Sequence, residues 1–135
     1  MGDTVDIVEI IEQSFYDRVG GLGFFERLVG AFYEGVEADP LLRPLYPEED
    51  LSAARHRLAL FFAQYWGGPT LYEQLRGHPR LRMRHVDYVI TKKVRNAWLG
   101  HMRSAMDREA KHLSEKDRKE MLEYLEMAAN GLRNR

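Results

Sequence analysis

Apolar residues recur along most of the chain at the three- and four-residue spacing of an amphipathic helix, and no segment clearly alternates at period two. The clearest stripe falls within residues 25–36. It consists of six residues on one helix face, namely Phe25, Leu28, Val29, Phe32, Tyr33 and Val36. Six segments with helical periodicity predict an all-α domain.

Residues that cap or break helices divide the first half of this pattern. The first helix is predicted from about Thr4 to Val19, where Gly20-Gly21 stops it, and the second ends before Asp39-Pro40. A corner with three prolines in residues 40–47 follows, and it carries Tyr46. The third helix is predicted over residues 51–66, with its apolar residues on one arc: Leu51, Ala54, Leu58, Phe61, Phe62 and Tyr65.

The second half contains a short predicted helix at residues 70–77 and two longer ones. Thr91 is predicted to cap the fifth helix, whose apolar side carries Val94, Trp98, Met102 and Ala105. Ser114 and Asp117 resemble a capping box at the start of the sixth. Some two dozen residues with little periodicity separate the third helix from the fifth, and a connection of that length is typical of a functional segment.

Length and charge limit the class of protein. A chain of 135 residues predicts one domain, and a formal net charge of −1 gives it no general attraction to nucleic acid or an anionic membrane. Without cysteine there is no disulfide and no thiolate metal site. No apolar run approaches the ~20 residues that span a bilayer, and no leader opens the chain. We therefore expect a soluble cytoplasmic protein.

The decapeptide RGHPRLRMRH, residues 76–85, is a local basic feature with four arginines and two histidines. Composition leaves two interpretations open, a solvated basic turn and the wall of a pocket for an anionic ligand. His85 ends the run and leads into an apolar stretch. Haem suits such a sequence, because its iron takes an imidazole and its propionates pair with guanidinium groups. A zinc site is not supported, since no histidine pair is spaced i, i+4.

Three polar aromatic residues are candidates for a ligand site. Tyr33 and Trp98 lie on predicted buried stripes, so their donor groups need partners. Tyr46, in the proline-held corner, is the third candidate. No serine lies in a nucleophile elbow and no glycine-rich phosphate loop follows a strand, so the sequence does not favour a hydrolase.

Several motifs together closely resemble a truncated haemoglobin of the second group. They are FYDRVGG (15–21), FYEGVEADPLLRPLYPEEDL (32–51), QYWGGP (64–69), RGHPRLRMRH (76–85), AWLGHM (97–102) and EYLEMAA (123–129). The resemblance implies a shortened all-α globin, a two-over-two helical sandwich around haem b. It implies a truncated globin domain over residues 15–135, preceded by an extension at residues 1–14 that we expect to be helical.

The resemblance also implies roles for individual residues. His85 matches the proximal iron ligand, and Tyr33, Tyr46 and Trp98 match the distal residues that bind the ligand. Ala54 falls where longer globins place a distal histidine. The other implied haem-pocket residues are Phe32, Leu58, Phe61 and Phe62, with Tyr72, Arg82 and Arg84 as candidates for holding the propionates.

The function implied by the resemblance is reversible binding of dioxygen, NO and CO at ferrous iron, for oxygen transport, sensing or scavenging. A haem-dependent enzyme is the alternative, either an NO dioxygenase or a peroxidase-like activity on peroxide or peroxynitrite, with an unknown reductase. A helical interaction module whose basic turn docks an acidic partner is an alternative of another class. A homodimer is compatible with the sequence.

Overall fold

The computed structural model of the protein describes residues 14–77, 80, 84, 85 and 88–135. These residues form six α-helices: α1 (Phe15–Val19), α2 (Gly21–Glu37), α3 (Ser52–Tyr65), α4 (Leu71–Arg76), α5 (Lys92–Glu109) and α6 (Glu115–Leu132). A 3-10 turn, Arg43–Leu45, lies between α2 and α3. The described part contains no β-strand, which confirms the all-α prediction. Most of the predicted extension, residues 1–13, lies outside the described residues.

The start of α1 differs from the prediction of one continuous helix from Thr4 to Val19. Ser14 has an extended backbone, and its hydroxyl accepts a hydrogen bond from the Asp17 N–H at 3.2 Å. Ser14 is therefore an N-cap, and the continuous helix is wrong at this residue because a cap cannot lie inside a helix. The predicted stop is confirmed, since Gly20 ends α1 with φ 117°, a conformation that favours glycine.

Helix α2 is the centre of the packing. All six residues of its predicted stripe are buried. It packs against both α3 and α5, while α5 also packs against α6. This arrangement of two helix pairs is the two-over-two sandwich that the sequence predicts.

Helix α3 buries a wider face than its predicted arc. Tyr65 is 50% exposed, contrary to the prediction, and Leu58 of the arc is only partly buried. Ala59, Leu60 and Ala63, which lie outside the arc, are buried. Ala59 and Ala63 share a face with Arg55, whose guanidinium lies against Gly30 of α2. Because α3 has α2 on one side and the cavity described below on the other, a single apolar arc does not describe its burial.

The junction after α3 holds α1 in place. The Tyr16 N–H donates to the Trp66 carbonyl at 2.9 Å, and the Gly68 N–H donates to the Ala63 carbonyl at 2.7 Å. A Cβ on Gly68 would lie 2.5 Å from Cδ2 of Tyr16 and 2.8 Å from the Ala63 carbonyl oxygen. The Gly67-Gly68 pair thus allows a close approach of α1 to the end of α3.

The two long C-terminal helices begin at the predicted caps. The Thr91 hydroxyl accepts from the Val94 N–H at 3.2 Å, and the Ser114 hydroxyl accepts from the Asp117 N–H at 3.1 Å. Asp117 also accepts two hydrogen bonds from the Arg18 guanidinium, at 3.3 and 3.1 Å. This ion pair ties α6 to α1. No helix among the described residues is long and apolar enough to cross a membrane.

Candidate functional site

A cavity of about 310 Å³ lies among α2, α3, α5, α6 and the segment that follows α4. Its volume falls at the lower end of the range, roughly 300–1,000 Å³, of small-molecule and cofactor sites in proteins. Its walls are mainly apolar, and α3 and α6 each contribute several of the apolar side chains. A few polar groups lie within this apolar surface, which is the usual composition of a ligand site.

Tyr33, Tyr46 and Trp98 all line this cavity, although they come from α2, from the corner after the 3-10 turn and from α5. The rings of Tyr33 and Tyr46 pack edge to face, with their centroids 5.5 Å apart. Burial raises the pKa of Tyr33 well above its usual value, and the neighbouring Tyr46 raises it further. Burial also raises the pKa of Tyr46. Both phenols are therefore neutral near pH 7 and keep a hydrogen to donate.

The corner that carries Tyr46 is held by one arginine. The Arg43 guanidinium donates to the backbone carbonyls of Tyr46, Glu48 and Glu49 at 3.0, 2.8 and 2.9 Å. Glu48 in turn pairs with Arg57 of α3 at 3.0 Å, and both residues line the cavity. These contacts fix the tyrosine relative to α3, because they leave the corner few alternative conformations.

His85 lines the same cavity, together with Arg84 and Tyr88. The rings of His85 and Tyr88 lie 6.3 Å apart between centroids. Of the four histidines within the described residues, His85 is the one that lines the cavity. Arg84 donates to the Arg76 carbonyl at 2.8 Å, which links the two ends of the basic decapeptide.

The other described histidines lie elsewhere. His56 of α3 is exposed. His101 Nε2 lies 2.6 Å from the Asp39 carboxylate. His112 Nε2 lies 2.8 Å from the carbonyl oxygen of Val19, the last residue of α1. None of these three rings is part of the cavity wall.

The remaining predicted pocket residues are mostly found at the cavity. Its lining includes Ala54, Leu58, Phe61, Phe62 and Tyr72. Phe32 is fully buried but is not a lining residue, because it lies behind Trp98 and Tyr33, with ring centroids 5.3 and 5.0 Å from theirs. Arg82 lies outside the described residues.

Some lining residues were not predicted to belong to the site. They are Arg57, Glu48, Arg76, Tyr88, Val94, Arg95 and Tyr124, with small and apolar residues of α6. Val94 and Arg95 lie one helical turn before Trp98, so their spacing from that residue was a usable signal. Glu48, Arg57 and Tyr124 gave no signal of this kind, since only the tertiary fold brings them to the cavity.

The residues of the cavity fit haem. One imidazole lines it, the walls are mainly apolar, and four guanidinium groups suit carboxylates: Arg57, Arg76, Arg84 and Arg95. The lining also includes Tyr33, Tyr46 and Trp98, whose hydroxyl and indole groups can donate hydrogen bonds. Within the described ranges there is no group of three or more His, Asp or Glu side chains that could hold a bare metal ion.

A sandwich of helix pairs with one histidine and three polar donors around an apolar cavity defines a globin of the shortened type. Comparison with known proteins gives the same answer. The family model for bacterial-like globins matches residues 14–131. The group 2 truncated hemoglobin YjbI of Bacillus subtilis is 43% identical over 98 residues, which is 70% of this chain and 73% of that protein.

Solved structures agree with this assignment. A thermostable hemoglobin from Thermobifida fusca superposes with a TM-score of 0.87 at 53% identity, over 90% of this chain and 98% of the other. A truncated oxygen-avid haemoglobin from Bacillus subtilis superposes with a TM-score of 0.83 at 37% identity, over 90% of this chain and all of the other. The chain belongs to the bacterial-like globin family and, within it, to the group 2 truncated haemoglobins.

Proposed function

We propose that the protein holds haem b through His85 and binds dioxygen, and also NO and CO, reversibly at ferrous iron. The observation that carries the proposal is the shared cavity, in which one imidazole and three hydrogen-bond donors from separate elements line the same space. Haem, when bound, supplies an iron that takes diatomic ligands. The chain supplies the fifth ligand, the charge pairing and the polarity of the pocket.

The proximal side of the site is formed by His85 and the cationic rim. The imidazole of His85 would supply the nitrogen that a haem iron takes as its fifth ligand. Arg84 and Tyr72 are our candidates for pairing with the propionates, and both line the cavity. Because Arg84 donates to the Arg76 carbonyl at 2.8 Å, its guanidinium is held beside another residue of the cavity wall.

The distal side is formed by Tyr33, Tyr46 and Trp98. Ala54 lines the cavity as well, but its methyl group cannot donate a hydrogen bond. The two phenols and the indole therefore supply the donors. Donors fixed in an apolar site stabilise negative charge on a bound ligand more strongly than water does, so we expect tight oxygen binding with slow release. The oxygen-avid relative from Bacillus subtilis supports this proposal.

A spectroscopic titration with hemin tests the proposal. The purified protein should take up one equivalent of hemin and show a Soret band, and after reduction it should bind dioxygen and CO reversibly. His85→Ala should lose stable haem binding, whereas His56→Ala, which changes an exposed histidine of α3, should behave as the wild type. A protein that fails to bind hemin, or an unchanged ferrous spectrum in His85→Ala, would disprove the assignment. A cytoplasmic location, a homodimer and a dedicated reductase stay predictions.

A further inference from the structure

Two tyrosines form a continuous aromatic contact from the cavity to the surface. Tyr124 of α6 lines the cavity, and its ring stacks on Tyr65 with a centroid distance of 3.9 Å and an interplanar angle of 29°. Tyr65, the last residue of α3, is 50% exposed. Since stacking usually places ring centroids about 4.5–7 Å apart, this pair is in close contact.

Trp66 supports the pair from behind. Its ring lies edge-on to both tyrosines, at 5.0 Å from each centroid, and is itself buried. Trp66 also stacks on Phe25 and Phe15, at 5.8 and 5.5 Å. Trp66 therefore restricts the arrangements that the tyrosine pair can adopt.

A large exposed aromatic residue is not explained by core packing. Tyr65 falls on the predicted apolar arc of α3 but lies largely in solvent, while its neighbour Trp66 is 7% exposed. A phenylalanine would stack on Tyr124 equally well. This contact differs from the contacts among the surrounding phenylalanines, because a phenol readily loses one electron and a phenyl ring does not.

We propose that Tyr65 and Tyr124 form an electron-transfer path by which donors too large for the cavity are oxidised at the protein surface. The proposal rests on the haem binding proposed above, and hydrogen peroxide is the oxidant. Reduction of one peroxide in the cavity takes two electrons and two protons and gives two water molecules. Each electron leaves Tyr124 towards the cavity, Tyr65 then reduces Tyr124, and an external one-electron donor reduces Tyr65.

Each tyrosine also releases a proton when it is oxidised and takes one up when it is reduced. Burial raises the pKa of Tyr124 to about 12, and the proximity of Tyr65 adds to the shift. Tyr124 therefore starts as a neutral phenol, and it releases its proton when it is oxidised and regains one when Tyr65 reduces it. Tyr65 exchanges its proton with water directly, because half of its surface is exposed. With ferrocyanide as donor, two ferrocyanide ions, two protons and one peroxide give two ferricyanide ions and two waters.

The test uses haem-reconstituted protein, hydrogen peroxide and ferrocyanide. Tyr65→Phe should lower the rate of ferricyanide formation several-fold while the Soret band and hemin affinity stay unchanged. Tyr65→Trp should restore much of the rate, since indole is also oxidisable. Tyr16→Phe is the matched control, because Tyr16 is a partly buried tyrosine whose hydroxyl accepts from the Leu22 N–H and which lies outside the cavity lining.

A second readout does not depend on turnover. Without donor, freeze-quenched samples should give a tyrosyl radical by electron paramagnetic resonance, and the exposed radical should couple proteins through dityrosine, detected by fluorescence. Tyr65→Phe should abolish the dityrosine, and Tyr124→Phe should weaken the radical signal on Tyr65. If Tyr65→Phe binds haem normally but keeps the wild-type rate of ferrocyanide oxidation and the wild-type yield of dityrosine, the electron-transfer path is wrong and the haem-binding proposal still stands. Failure of the wild type to bind haem would overturn both proposals.

Discussion

Asn134 and Ile90 hold each other by hydrogen bonds in both directions. The Ile90 N–H donates to the side-chain oxygen of Asn134 at 2.8 Å, and the Asn134 N–H donates to the Ile90 carbonyl at 2.9 Å. The Asn134 side-chain amide also donates to the Tyr88 carbonyl at 2.8 Å. The residues after α6 thus fasten the segment that joins His85 to α5. Asn134 lies beyond residues 14–131, the part that the family model matches.

We expect Asn134→Ala to speed the loss of haem. The substitution removes both side-chain hydrogen bonds and keeps the backbone bond, so the segment after His85 is held less firmly. An exposed hydrogen bond contributes about 0.5–1.5 kcal/mol, which corresponds to a change of roughly two- to tenfold in the dissociation rate. The rate is measured by transfer of haem to excess apomyoglobin.

Two further variants make this prediction specific. Asn134→Asp keeps an acceptor for Ile90 but loses the donor to Tyr88, so its rate should lie between those of the wild type and Asn134→Ala. Arg133→Ala is the neighbouring control, because the Arg133 side chain donates to the Arg135 carbonyl within the tail itself. Equal rates for Asn134→Ala and Arg133→Ala would show that the tail does not position His85.

Removing a distal donor should speed oxygen dissociation. Tyr33→Phe removes only a hydroxyl, and Trp98→Phe replaces the indole by a smaller ring without an N–H, so each variant would lose one proposed hydrogen bond to the ligand. A loss of about 1.4 kcal/mol corresponds to roughly a tenfold faster rate. Stopped-flow displacement of oxygen by CO measures it. Tyr16→Phe, which removes a tyrosine hydroxyl outside the cavity lining, should keep the wild-type rate. Unchanged dissociation rates in both variants would show that Tyr33 and Trp98 do not donate hydrogen bonds to bound oxygen.

Local signals in the sequence predicted most helix boundaries. Thr91 and Ser114 are caps and Gly20 is a stop because each acts within one helical turn of its own position. All six residues of the predicted stripe of α2 are buried, because they recur at the three- and four-residue spacing that places side chains on the same side of a helix. The prediction that Tyr65 is buried was wrong. Helix α3 has α2 on one side and the cavity on the other, and one apolar stripe cannot describe burial on both sides.

The candidate site was predicted in a different way. His85, Tyr33, Tyr46 and Trp98 came from the family resemblance together with the need of buried donors for partners, and all four line one cavity. The Glu48–Arg57 pair and Tyr124 could not be predicted, because no spacing in the sequence connects them with the other lining residues. Long-range contacts of this kind require the tertiary fold.

The His101–Asp39 contact predicts a pH dependence of stability. The hydrogen bond from His101, with a weaker one from the Leu41 N–H, holds the pKa of Asp39 below its usual value. A lowered carboxylate pKa stabilises the fold at pH values above the unfolded pKa of about 3.9, and that stabilisation is lost as the pH falls through the lower, folded pKa. Asp39→Asn should therefore lower the Tm at pH 7 and flatten the decline of Tm below pH 4.

A double-mutant cycle identifies the partner in that contact. If His101 is the main cause, Asp39→Asn should have much less effect on Tm in a His101→Gln background than in the wild type, because the two side chains share one interaction. The cycle is measured by thermal unfolding between pH 3 and pH 8. Fully additive effects would assign the pH dependence to another group.

Replacing a glycine by alanine should have opposite effects on Tm at Gly35 of α2 and at Gly100 of α5, because α2 lies close to α5 at Gly35. A Cβ on Gly35 would overlap the His101 imidazole, 3.1 Å from its Cγ and Cε1 and nearer still to Nδ1, whereas a Cβ on Gly100 would have nothing within 4 Å. Gly100→Ala should stabilise α5 by about 0.5–1 kcal/mol, because alanine loses less backbone entropy in a helix. Gly35→Ala should lower the Tm instead, since His101 must move away from Asp39. Equal and positive shifts in Tm for both variants would show that the ring has room to move and that the contact with Asp39 does not depend on glycine.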